Sequence, residues 1–509
     1  MDRKEGMTDQ RKTLAWLKQE NEDDVKILEP EIDPVLEVGA LNKALDDGPA
    51  FLCENIKGYP NARYVVNLYG RGDRVAKIFG VDDIKQVKFK IIEAAENPIP
   101  PVIVQEAPCQ EVVIPRAEVD PFALFPMIQH TDKDGGRFFG SGVHFIGGKY
   151  APKGGQFAHY RMSFRGKDYA SINMVPGGHG DIIADRFCNE KIPCTVNICP
   201  PASVELMSIG SLAPVAFPEP DEVGMAGAIQ GFPLELVKAK TVDAYAVANS
   251  EWVIEGYIVP YEKVWETEAA ENAGRQGDTP FHPEWARYLG RAYRGRKFEI
   301  TAVTRRRDKP LYYVPFFGSM EGIHPFIEAT FYKLADIIAP GFVTDVSNFL
   351  GLTSWSGIVF QCKKRRRSDE GLQRNILAAA MGAIRGLRLA MIVDEDVNIH
   401  QPEDLFWAMT TRVNPDTDIL RGFAGRGQSY QPAERMAAGS GAGTVTPTSI
   451  FEGGIGIDAT VPLNAREHFT RPRYSVDMDL TKWLTPAEID KIKARQREYM
   501  RWLGEVGFA

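Results

Sequence analysis

The chain is best interpreted from three segments, which are Gln156-Phe-Ala-His-Tyr-Arg161, Gly177-Gly-His-Gly-Asp181 and Pro220-Asp-Glu-Val-Gly224. Arg161 and His179 lie 18 positions apart, and Glu222 follows 43 positions later. A cation, an imidazole and a carboxylate within glycine-rich and apolar sequence indicate a site, because such groups otherwise face solvent. We therefore take this stretch as the centre of a candidate functional site.

Around this stretch, residues 106–318 contain many short strand patterns separated by glycine and proline turns. Examples are Gly140–Ile146 and Cys194–Ile198. This spacing predicts an all-β barrel. One helix, Glu222–Gly231, interrupts it, and its acidic start suits the positive end of a helix dipole.

The flanking segments mix helical and strand patterns, so the predicted fold class is a multidomain α+β or α/β protein. Residues 1–105 predict an N-terminal α/β domain and residues 319–484 a C-terminal α/β domain. Residues 485–509 predict a terminal helix whose apolar face docks on a second subunit. The glycine-, serine- and alanine-rich segment 423–446 predicts a mobile loop.

Bulk composition narrows the classes of protein that are possible. The 509 residues are 44% hydrophobic and 25% charged, with a net charge of -8, which argues against nucleic acid as a main partner. The apolar runs are shorter than the roughly 20 residues of a membrane span. Six cysteines form no disulfide framework and, with a polar N-terminal segment, predict a cytoplasmic protein. Cys188, Cys194 and Cys199 cluster without a C-x-x-C pair, so we do not favour zinc.

His179, Glu222 and the amide of Gln156 would form a mixed nitrogen and oxygen site. Such ligands suit Mn²⁺ or Mg²⁺ better than metals that prefer thiols. The alternative is a structural histidine and an acid at a helix N-terminus. Spacing alone leaves both interpretations open.

A third cluster, Asp278-Thr-Pro-Phe-His-Pro-Glu284, places two carboxylates and an imidazole on a proline-stiffened segment. Paired acids on a rigid loop suit general acid–base catalysis, because burial and a nearby arginine separate their pKa values. The alternative is an ordinary acidic loop that follows Glu266-Thr-Glu268.

Two other motifs are not assigned a function. Gly439-Ser-Gly-Ala-Gly443 has the wrong spacing for a phosphate-binding loop and predicts a flexible loop instead. Lys363-Lys-Arg-Arg-Arg367 lies between a predicted strand and a helix start, so a solvated connection is favoured over a nucleic-acid patch.

Several further motifs occur in a fixed order from about Asp134 to Leu463. They include Asp134-Gly-Gly-Arg-Phe-Phe-Gly-Ser-Gly-Val143, Gly227-Ala-Ile-Gln-Gly-Phe-Pro-Leu-Glu-Leu-Val-Lys238, Asp394-Glu-Asp-Val-Asn398, Trp407-Ala-Met-Thr-Thr-Arg412 and Gly456-Ile-Asp-Ala-Thr460. Together with the segments at 156–161, 179 and 222, this order resembles the UbiD family of reversible decarboxylases that use prenylated FMN.

The resemblance implies a central split β-barrel that binds the flavin, with Mn²⁺ (or Mg²⁺) and K⁺ at the flavin phosphate. The implied metal ligands are His179, Glu222 and Gln156, where Gln156 replaces the family's usual asparagine with a side chain one methylene longer. The implied flavin-binding set adds Ala158, His159, Tyr160, Arg161, Gly178 and Arg388.

The family's catalytic network joins an arginine to two acids in an E-G-P-F-G-E motif. By position, the arginine is Arg161, the second acid is Glu284, and Asp278 takes the place of the first acid. His282-Pro283 replaces the single glycine before the final acid, so His282 competes with Asp278 for that role. The resemblance implies decarboxylation of an aromatic or α,β-unsaturated acid, with Glu284 as proton donor.

Alternatives remain at this stage. The chain could run in the CO₂-fixing direction on a (hetero)aromatic or CoA-linked substrate. Functions of another class are an FMN-dependent oxidoreductase, which would consume a hydride donor, and a non-catalytic subunit of a carboxylase complex. The resemblance also implies a flavin prenyltransferase as cofactor supplier and a homo-oligomer, either dimer or hexamer.

Overall fold

The computed structural model describes residues 1–151, 154–174, 177–210, 212–284, 287–314, 322–352, 354–384, 386–422, 425–426, 451–472 and 478–505. The predicted mobile loop at 423–446 lies outside these residues, except for Gly425 and Arg426. The chain forms two compact units. The first comprises Met1–Lys333 with the short paired strands Gly425–Arg426 and Phe451–Glu452, and the second the described residues of Leu334–Ala424 and Gly453–Ala509.

A four-stranded sheet near the N-terminus is completed by a strand from much later in the chain. Its strand order is Val25–Leu28, Ala50–Cys53, Arg63–Val66 and Leu311–Val314. The last strand pairs in parallel with Arg63–Val66, with Leu311 opposite Arg63. Because its fourth strand follows all the barrel strands in sequence, this sheet ties the N-terminal segment into the first unit.

The centre of the first unit is an eight-stranded sheet, which we call the barrel sheet. The strands of its main path, in spatial order, are Gln156–His159, Gly142–Ile146, Ile192–Ile198, Trp252–Trp265, Arg294–Arg305, Tyr169–Ile172 and Met162–Phe164, and Val112–Pro115 pairs with Arg294–Arg305. The two edge strands are consecutive in sequence, joined only by Tyr160 and Arg161. Phe139 and Met162 also exchange backbone hydrogen bonds of 3.0 and 3.1 Å, so the sheet curls until its edges meet.

The curl has a local cause in the long central pair of strands. The register between Trp252–Trp265 and Arg294–Arg305 shifts at Glu255/Gly256, and such bulges bend a strand and increase its twist. A Cβ atom at Gly256 would lie 2.1 Å from the carbonyl oxygen of Glu299, so only glycine permits this approach. The predicted all-β barrel is therefore present as a curled, split sheet.

Aromatic side chains fill the interior next to this sheet. Phe125 stacks on Phe164 at 5.9 Å and contacts Phe139 edge-on at 5.3 Å. All three are buried, and burying an aromatic ring stabilises a fold by roughly 1.5–3 kcal/mol. A smaller sheet of the first unit orders Tyr245–Val247, Glu235–Lys238 and Val102–Val104.

The helix predicted at Glu222–Gly231 is present as Glu222–Gln230, and further helices surround it in sequence. The α-helices up to residue 338 are Arg3–Gly6, Gln10–Glu20, Glu37–Ala44, Gly72–Phe79, Ile84–Glu96, Pro121–Leu124, His179–Arg186, Ala202–Gly210, Glu222–Gln230, Glu268–Ala273 and His324–Ile338, the last spanning the division between the units. In the described part of the chain, no helix is both long and apolar enough to cross a membrane.

The second unit contains a five-stranded mixed sheet. Its order is Val343–Ser347, Gly357–Cys362, Leu389–Asp394, Ile455–Ala459 and Ile419–Arg421, with the three central strands parallel. The helices Leu372–Ala383 and Pro402–Arg412 accompany it, as the sequence pattern predicted. Each of the two units thus combines helices with strands, which confirms the predicted fold class.

The single terminal helix that was predicted is two helices, Pro486–Arg495 and Glu498–Glu505. Thr485 and Glu488 cap the first one reciprocally, and Gln496 is extended, which ends it. The hydroxyl of Tyr499 donates to Asp404 at 3.0 Å within the same chain. Its role in oligomerisation stays a prediction.

Candidate active site

Arg161 lies at the point where the two edges of the barrel sheet meet. The strand Gln156–His159 ends just before it and Met162–Phe164 begins just after it. Its side chain is only 14% exposed, and its guanidinium carbon lies 4.7 Å from the ring centre of Phe281. A buried cation needs acceptors for all its protons, since an uncompensated charge is costly to bury.

The strongest partner of Arg161 is Glu266, which directly follows the strand Trp252–Trp265. The Nε and Nη2 atoms of Arg161 donate to the two carboxylate oxygens at 2.7 and 2.8 Å. The Nδ2 of Asn173 (3.2 Å) and the backbone N–H of Tyr293 (2.7 Å) donate to the same carboxylate. Glu266 therefore accepts four hydrogen bonds, about the capacity of an ionised carboxylate.

Glu284 is the second acid at Arg161, as the sequence predicted. It follows the strand Pro280–Pro283, which forms a two-stranded sheet with Leu289–Arg291. Nη1 of Arg161 donates to Glu284 Oε1 at 2.5 Å. Burial lowers the pKa of Arg161, but the charges of Glu266 and Glu284 outweigh that effect and raise it overall.

The remaining N–H groups of Arg161 also face acceptors of the protein. Nη2 donates to the carbonyl oxygen of Arg291 at 2.9 Å, and Nη1 lies 3.3 Å from Nε2 of His282. A guanidinium has five N–H groups, and five acceptors surround this one. All five N–H groups thus face acceptors of the protein, and the implied contact of Arg161 with the flavin stays a prediction.

In this structure the acid that shares Arg161 with Glu284 is Glu266, and not the predicted Asp278. Asp278 lies in the same hairpin region, where its backbone oxygen accepts from Arg291 Nη1 at 3.0 Å. Its Oδ1 is buried without a hydrogen-bond partner, and its carboxylate is not among the hydrogen-bond partners of Arg161. We correct the assignment accordingly.

Glu266 was missed because it was interpreted as part of an acidic loop. One signal was available in the sequence. Glu266 directly follows Trp265, the last residue of an apolar strand, so its side chain is expected at the end of that barrel strand. The side chain of Glu266 is 1% exposed, whereas a solvated loop acid would be largely exposed.

Two of the predicted metal ligands, His179 and Glu222, lie next to each other, and the third, Gln156, adjoins a residue whose backbone binds Glu222. One carboxylate oxygen of Glu222 accepts from the backbone N–H of Phe157 at 2.6 Å, next to Gln156, and the other lies 3.8 Å from His179 Nδ1. Oε1 of Gln156 and Nε2 of His179 are buried and have no hydrogen-bond partner. Burial raises the pKa of Glu222, and contact with His179 opposes that shift.

These atoms fit a hard cation. Carboxylate and amide oxygens with one imidazole are ligands that Mn²⁺ and Mg²⁺ accept. No group of three or more His, Cys, Asp or Glu side chains placed to hold a metal occurs among the described residues. The predicted ligand set contains only two residues of these types, His179 and Glu222, and its third member is the amide of Gln156.

Two helix N-termini meet this ligand set. His179–Arg186 begins at His179 with Gly178 as its N-cap, and Glu222–Gln230 begins at Glu222 with Asp221 as its N-cap. Helix N-termini carry partial positive charge and free N–H groups, which suit a phosphate. The arrangement can hold an anion beside the metal ligands.

Three further residues of the predicted flavin-binding set lie in different parts of the structure. Ala158 pairs with His144 in the barrel sheet. Tyr160 is buried against Gly180, and burial, then the charge of Glu222, raises its pKa. Arg388 lies in the second unit, immediately before the strand Leu389–Asp394, and its part in the site stays a prediction.

His159 contacts a buried acid that the sequence did not single out. Its Nε2 donates to the carbonyl oxygen of Gly140, and its Nδ1 lies 3.8 Å from Glu205 Oε1. Glu205 is fully buried, and burial raises its pKa well above the usual range. Burial also lowers the pKa of His159, so this pair is best described as neutral groups.

The first unit thus contains a buried arginine held between two acids and a separate pair of residues suited to a cation, groups that can serve acid–base chemistry. Family descriptions match most of the chain. The 3-octaprenyl-4-hydroxybenzoate carboxy-lyase N-terminal domain matches residues 17–91, the Rift-related domain 102–320 and the C-terminal domain 323–459. The chain therefore belongs to the UbiD family and is a carboxy-lyase.

Individual relatives agree with this assignment. The chain is 30% identical over 465 residues to gallate decarboxylase of Lactiplantibacillus plantarum, covering 88% of this chain and 91% of the relative. It is 26% identical to phenolic acid decarboxylase of Bacillus subtilis, covering 81% and 86%. The FMN oxidoreductase and non-catalytic alternatives are not favoured, since these relatives are named decarboxylases.

Solved structures match over nearly the full length. Apo 3,4-dihydroxybenzoic acid decarboxylase of Klebsiella pneumoniae has a TM-score of 0.79 and 25% identity, covering 94% of this chain and 100% of its own. A UbiD-class enzyme of Pelotomaculum thermopropionicum, solved with FMN, has a TM-score of 0.77 and 27% identity, covering 93% and 99%. An evolved dimeric form of the latter was solved with prenylated FMN, at a TM-score of 0.76 and 26% identity, covering 94% and 100%.

Proposed function

We propose that this chain is a non-oxidative decarboxylase of an aromatic carboxylic acid that uses prenylated FMN, with Glu284 as the proton donor. The observation that carries the proposal is the guanidinium of Arg161 held between the buried acids Glu266 and Glu284. Relatives named for gallate, 3,4-dihydroxybenzoic acid and phenolic acids support an aromatic substrate in the decarboxylating direction.

The two acids have different roles in this proposal. The four acceptor sites of Glu266 are filled by Arg161, Asn173 and Tyr293, so Glu266 anchors the guanidinium. Glu284 contacts the opposite end of the guanidinium through Nη1 and lies on a separate hairpin. Glu284 is therefore the acid that can approach a reacting carbon.

Arg161 contacts the two acids unequally. Glu266 accepts from both Nε and Nη2, whereas Glu284 accepts only from Nη1. Prenylated FMN, when bound, supplies the electron sink for the loss of CO₂. Glu284 then gives its proton to the carbon that has lost CO₂, and a proton from solvent restores the acid.

His179, Glu222 and Gln156 would hold Mn²⁺ (or Mg²⁺), which together with K⁺ would secure the phosphate of the flavin. Support comes from the partnerless buried atoms of Gln156 and His179 and from the two helix N-termini beside them. The longer side chain of Gln156 still presents its oxygen as a free acceptor, which favours ligation.

The test of the proton donor is Glu284→Gln in protein co-expressed with a flavin prenyltransferase. We expect bound flavin to persist while CO₂ release from gallate and other hydroxybenzoic acids falls by at least ~100-fold. In D₂O, the variant should also fail to exchange the ring hydrogen of the product. Glu271→Gln makes the same chemical change on an exposed acid and should keep activity. Full turnover by Glu284→Gln would disprove the assignment.

The metal site has a separate test. His179→Ala should lose Mn²⁺ by elemental analysis, and its flavin absorbance should fall with it. His468→Ala removes an exposed imidazole and should leave both unchanged. Undiminished Mn²⁺ and flavin in His179→Ala would refute the ligand set.

The surroundings of the enzyme are also proposed. A flavin prenyltransferase would supply the cofactor, Arg388 would contact it, and the protein would act as a homo-oligomer (dimer or hexamer) in the cytoplasm. Support for assembly is the dimeric form of the Pelotomaculum relative.

A further inference from the structure

His282 is a buried imidazole beside the catalytic arginine. It lies on the strand Pro280–Pro283, is 2% exposed, and stacks on Phe138 with ring centres 4.2 Å apart and planes inclined by 10°. The sequence predicted that His282 competes with Asp278 for the role of the first acid in the catalytic network. Its hydrogen bonds indicate another role.

The contacts of His282 specify one tautomer. Nδ1 lies 2.6 Å from the carbonyl oxygen of Pro283, which can only accept, so Nδ1 carries a hydrogen. Nε2 lies 3.3 Å from Nη1 of Arg161, which can only donate, so Nε2 must offer its lone pair. Both contacts are satisfied only by the neutral ring protonated at Nδ1.

The electrostatic surroundings agree with a neutral ring. Burial, followed by the positive charge of Arg161, lowers the pKa of His282 well below its usual value. A second proton would sit on Nε2 and point at the N–H of Arg161. These contacts and the lowered pKa keep the imidazole neutral while Arg161 is in place.

His282 is also the acceptor that completes the shell of Arg161. The other four N–H groups of Arg161 go to Glu266, Arg291 and Glu284. Nη1 has two N–H groups, one on Glu284 and one on His282. Holding the second N–H fixes the rotation of the planar guanidinium, and with it the direction of the N–H that meets Glu284.

We propose that His282 is a positioning residue, which acts through Arg161 to aim the carboxyl group of Glu284 at the reacting carbon. The inference rests on the proposed function of Glu284. It assigns His282 neither proton transfer nor contact with a phenolic substituent of the substrate.

The kinetic test uses two substitutions at His282 in flavin-loaded enzyme. His282→Phe keeps a ring to stack on Phe138 but removes the acceptor, so kcat should fall by about 10- to 100-fold with little change in KM. His282→Gln places an amide oxygen near the position of Nε2 and should restore kcat to within about threefold. Tyr288→Phe changes an exposed side chain in the same hairpin and should behave as wild type.

The outcomes separate this inference from the proposed function. A wild-type enzyme that releases no CO₂ from any aromatic acid defeats the proposed function. An active wild type with an unimpaired His282→Phe variant, or with equal losses in His282→Phe and His282→Gln, overturns the positioning role. Equal losses would mean that the ring acts only through packing.

A spectroscopic test does not depend on activity or on the folding of a variant. Histidine-selective ¹⁵N labelling of the wild-type protein should give one imidazole that is neutral and protonated at Nδ1 at pH 7. Loss of that signal in His282→Gln assigns it. A signal of His282 that is protonated at Nε2, or at both nitrogens, would overturn the inference.

Discussion

Glu266 and Asp278 both precede the hairpin that carries Glu284, but only Glu266 contacts Arg161. Glu266 receives two N–H groups of Arg161 and is 1% exposed, whereas the carboxylate of Asp278 has no hydrogen bond to that cation. Of the two, only Asp278 lies near the position of the first acid in the E-G-P-F-G-E motif, because Glu266 is 18 positions before Glu284. The difference lies in which one the strand ends carry to the guanidinium.

Glu266→Gln should therefore be far more damaging than Asp278→Asn. The amide of glutamine would turn an N–H₂ towards Arg161 or towards the N–H of Tyr293, which are both donors. We expect kcat/KM for CO₂ release to fall by at least ~100-fold, or about 3 kcal/mol of transition-state stabilisation. Asp278→Asn should stay within about threefold. A larger loss in Asp278→Asn than in Glu266→Gln would restore Asp278 as the first acid.

At the scale of one element, the helix His179–Arg186 depends on a close contact at its second residue. A Cβ atom at Gly180 would lie 1.8 Å from the hydroxyl oxygen of Tyr160. Tyr160 is buried beside the metal ligands and cannot swing into solvent. Because Gly180 has no side chain, the start of this helix can pack closely against Tyr160. This close packing sets the position of His179.

Gly180→Ala should displace the helix start and reduce bound Mn²⁺ and flavin several-fold. Adding Tyr160→Phe removes the nearest atom and should restore part of both, as measured by elemental analysis and flavin absorbance. Gly382→Ala is the matched control, because nothing lies within 4 Å of its Cβ in the helix Leu372–Ala383. That control should keep its cofactors and gain roughly 0.5–1 kcal/mol of stability. Full Mn²⁺ and flavin in Gly180→Ala would contradict the proposed contact.

At the scale of the whole molecule, the N-terminal segment is tied to the barrel by a buried ion pair within the first unit. Nε and Nη2 of Arg11 donate to the two carboxylate oxygens of Glu251 at 2.8 and 2.7 Å. Glu251 is fully buried and also accepts from the backbone N–H of Leu311. Arg11 therefore binds the residue that immediately precedes the barrel strand Trp252–Trp265, and the N-terminal sheet is completed by Leu311–Val314, which follows the barrel strands in sequence.

Arg11→Ala should destabilise the first unit by about 3 kcal/mol, because it leaves the buried carboxylate of Glu251 short of its main partner. Arg116→Ala removes a comparable bond to Asp168 at the surface and should cost less than about 1 kcal/mol. Urea unfolding followed by tryptophan fluorescence checks both values. Equal effects would mean that the N-terminal segment contributes little to the barrel's stability.

Much of the fold could be predicted because its signals are local. The helices Gly72–Phe79 and Pro402–Arg412 and the strand Leu389–Asp394 follow from apolar periodicity and end signals within each segment. The strand Leu311–Val314 joining the N-terminal sheet could not be predicted in this way. Its pairing depends on the path of the whole barrel rather than on its own four residues.

The site divides in the same manner. The sequence by itself determined the family, the arginine, the second acid and the three candidate metal ligands, because residue types at fixed spacings carry that information. Only the tertiary structure showed that Glu266, and not Asp278, contacts Arg161 and that Nε2 of His282 lies next to the same guanidinium. Arg161 and Glu266 are 105 positions apart, so their contact depends on how the barrel sheet curls, and no local pattern records that.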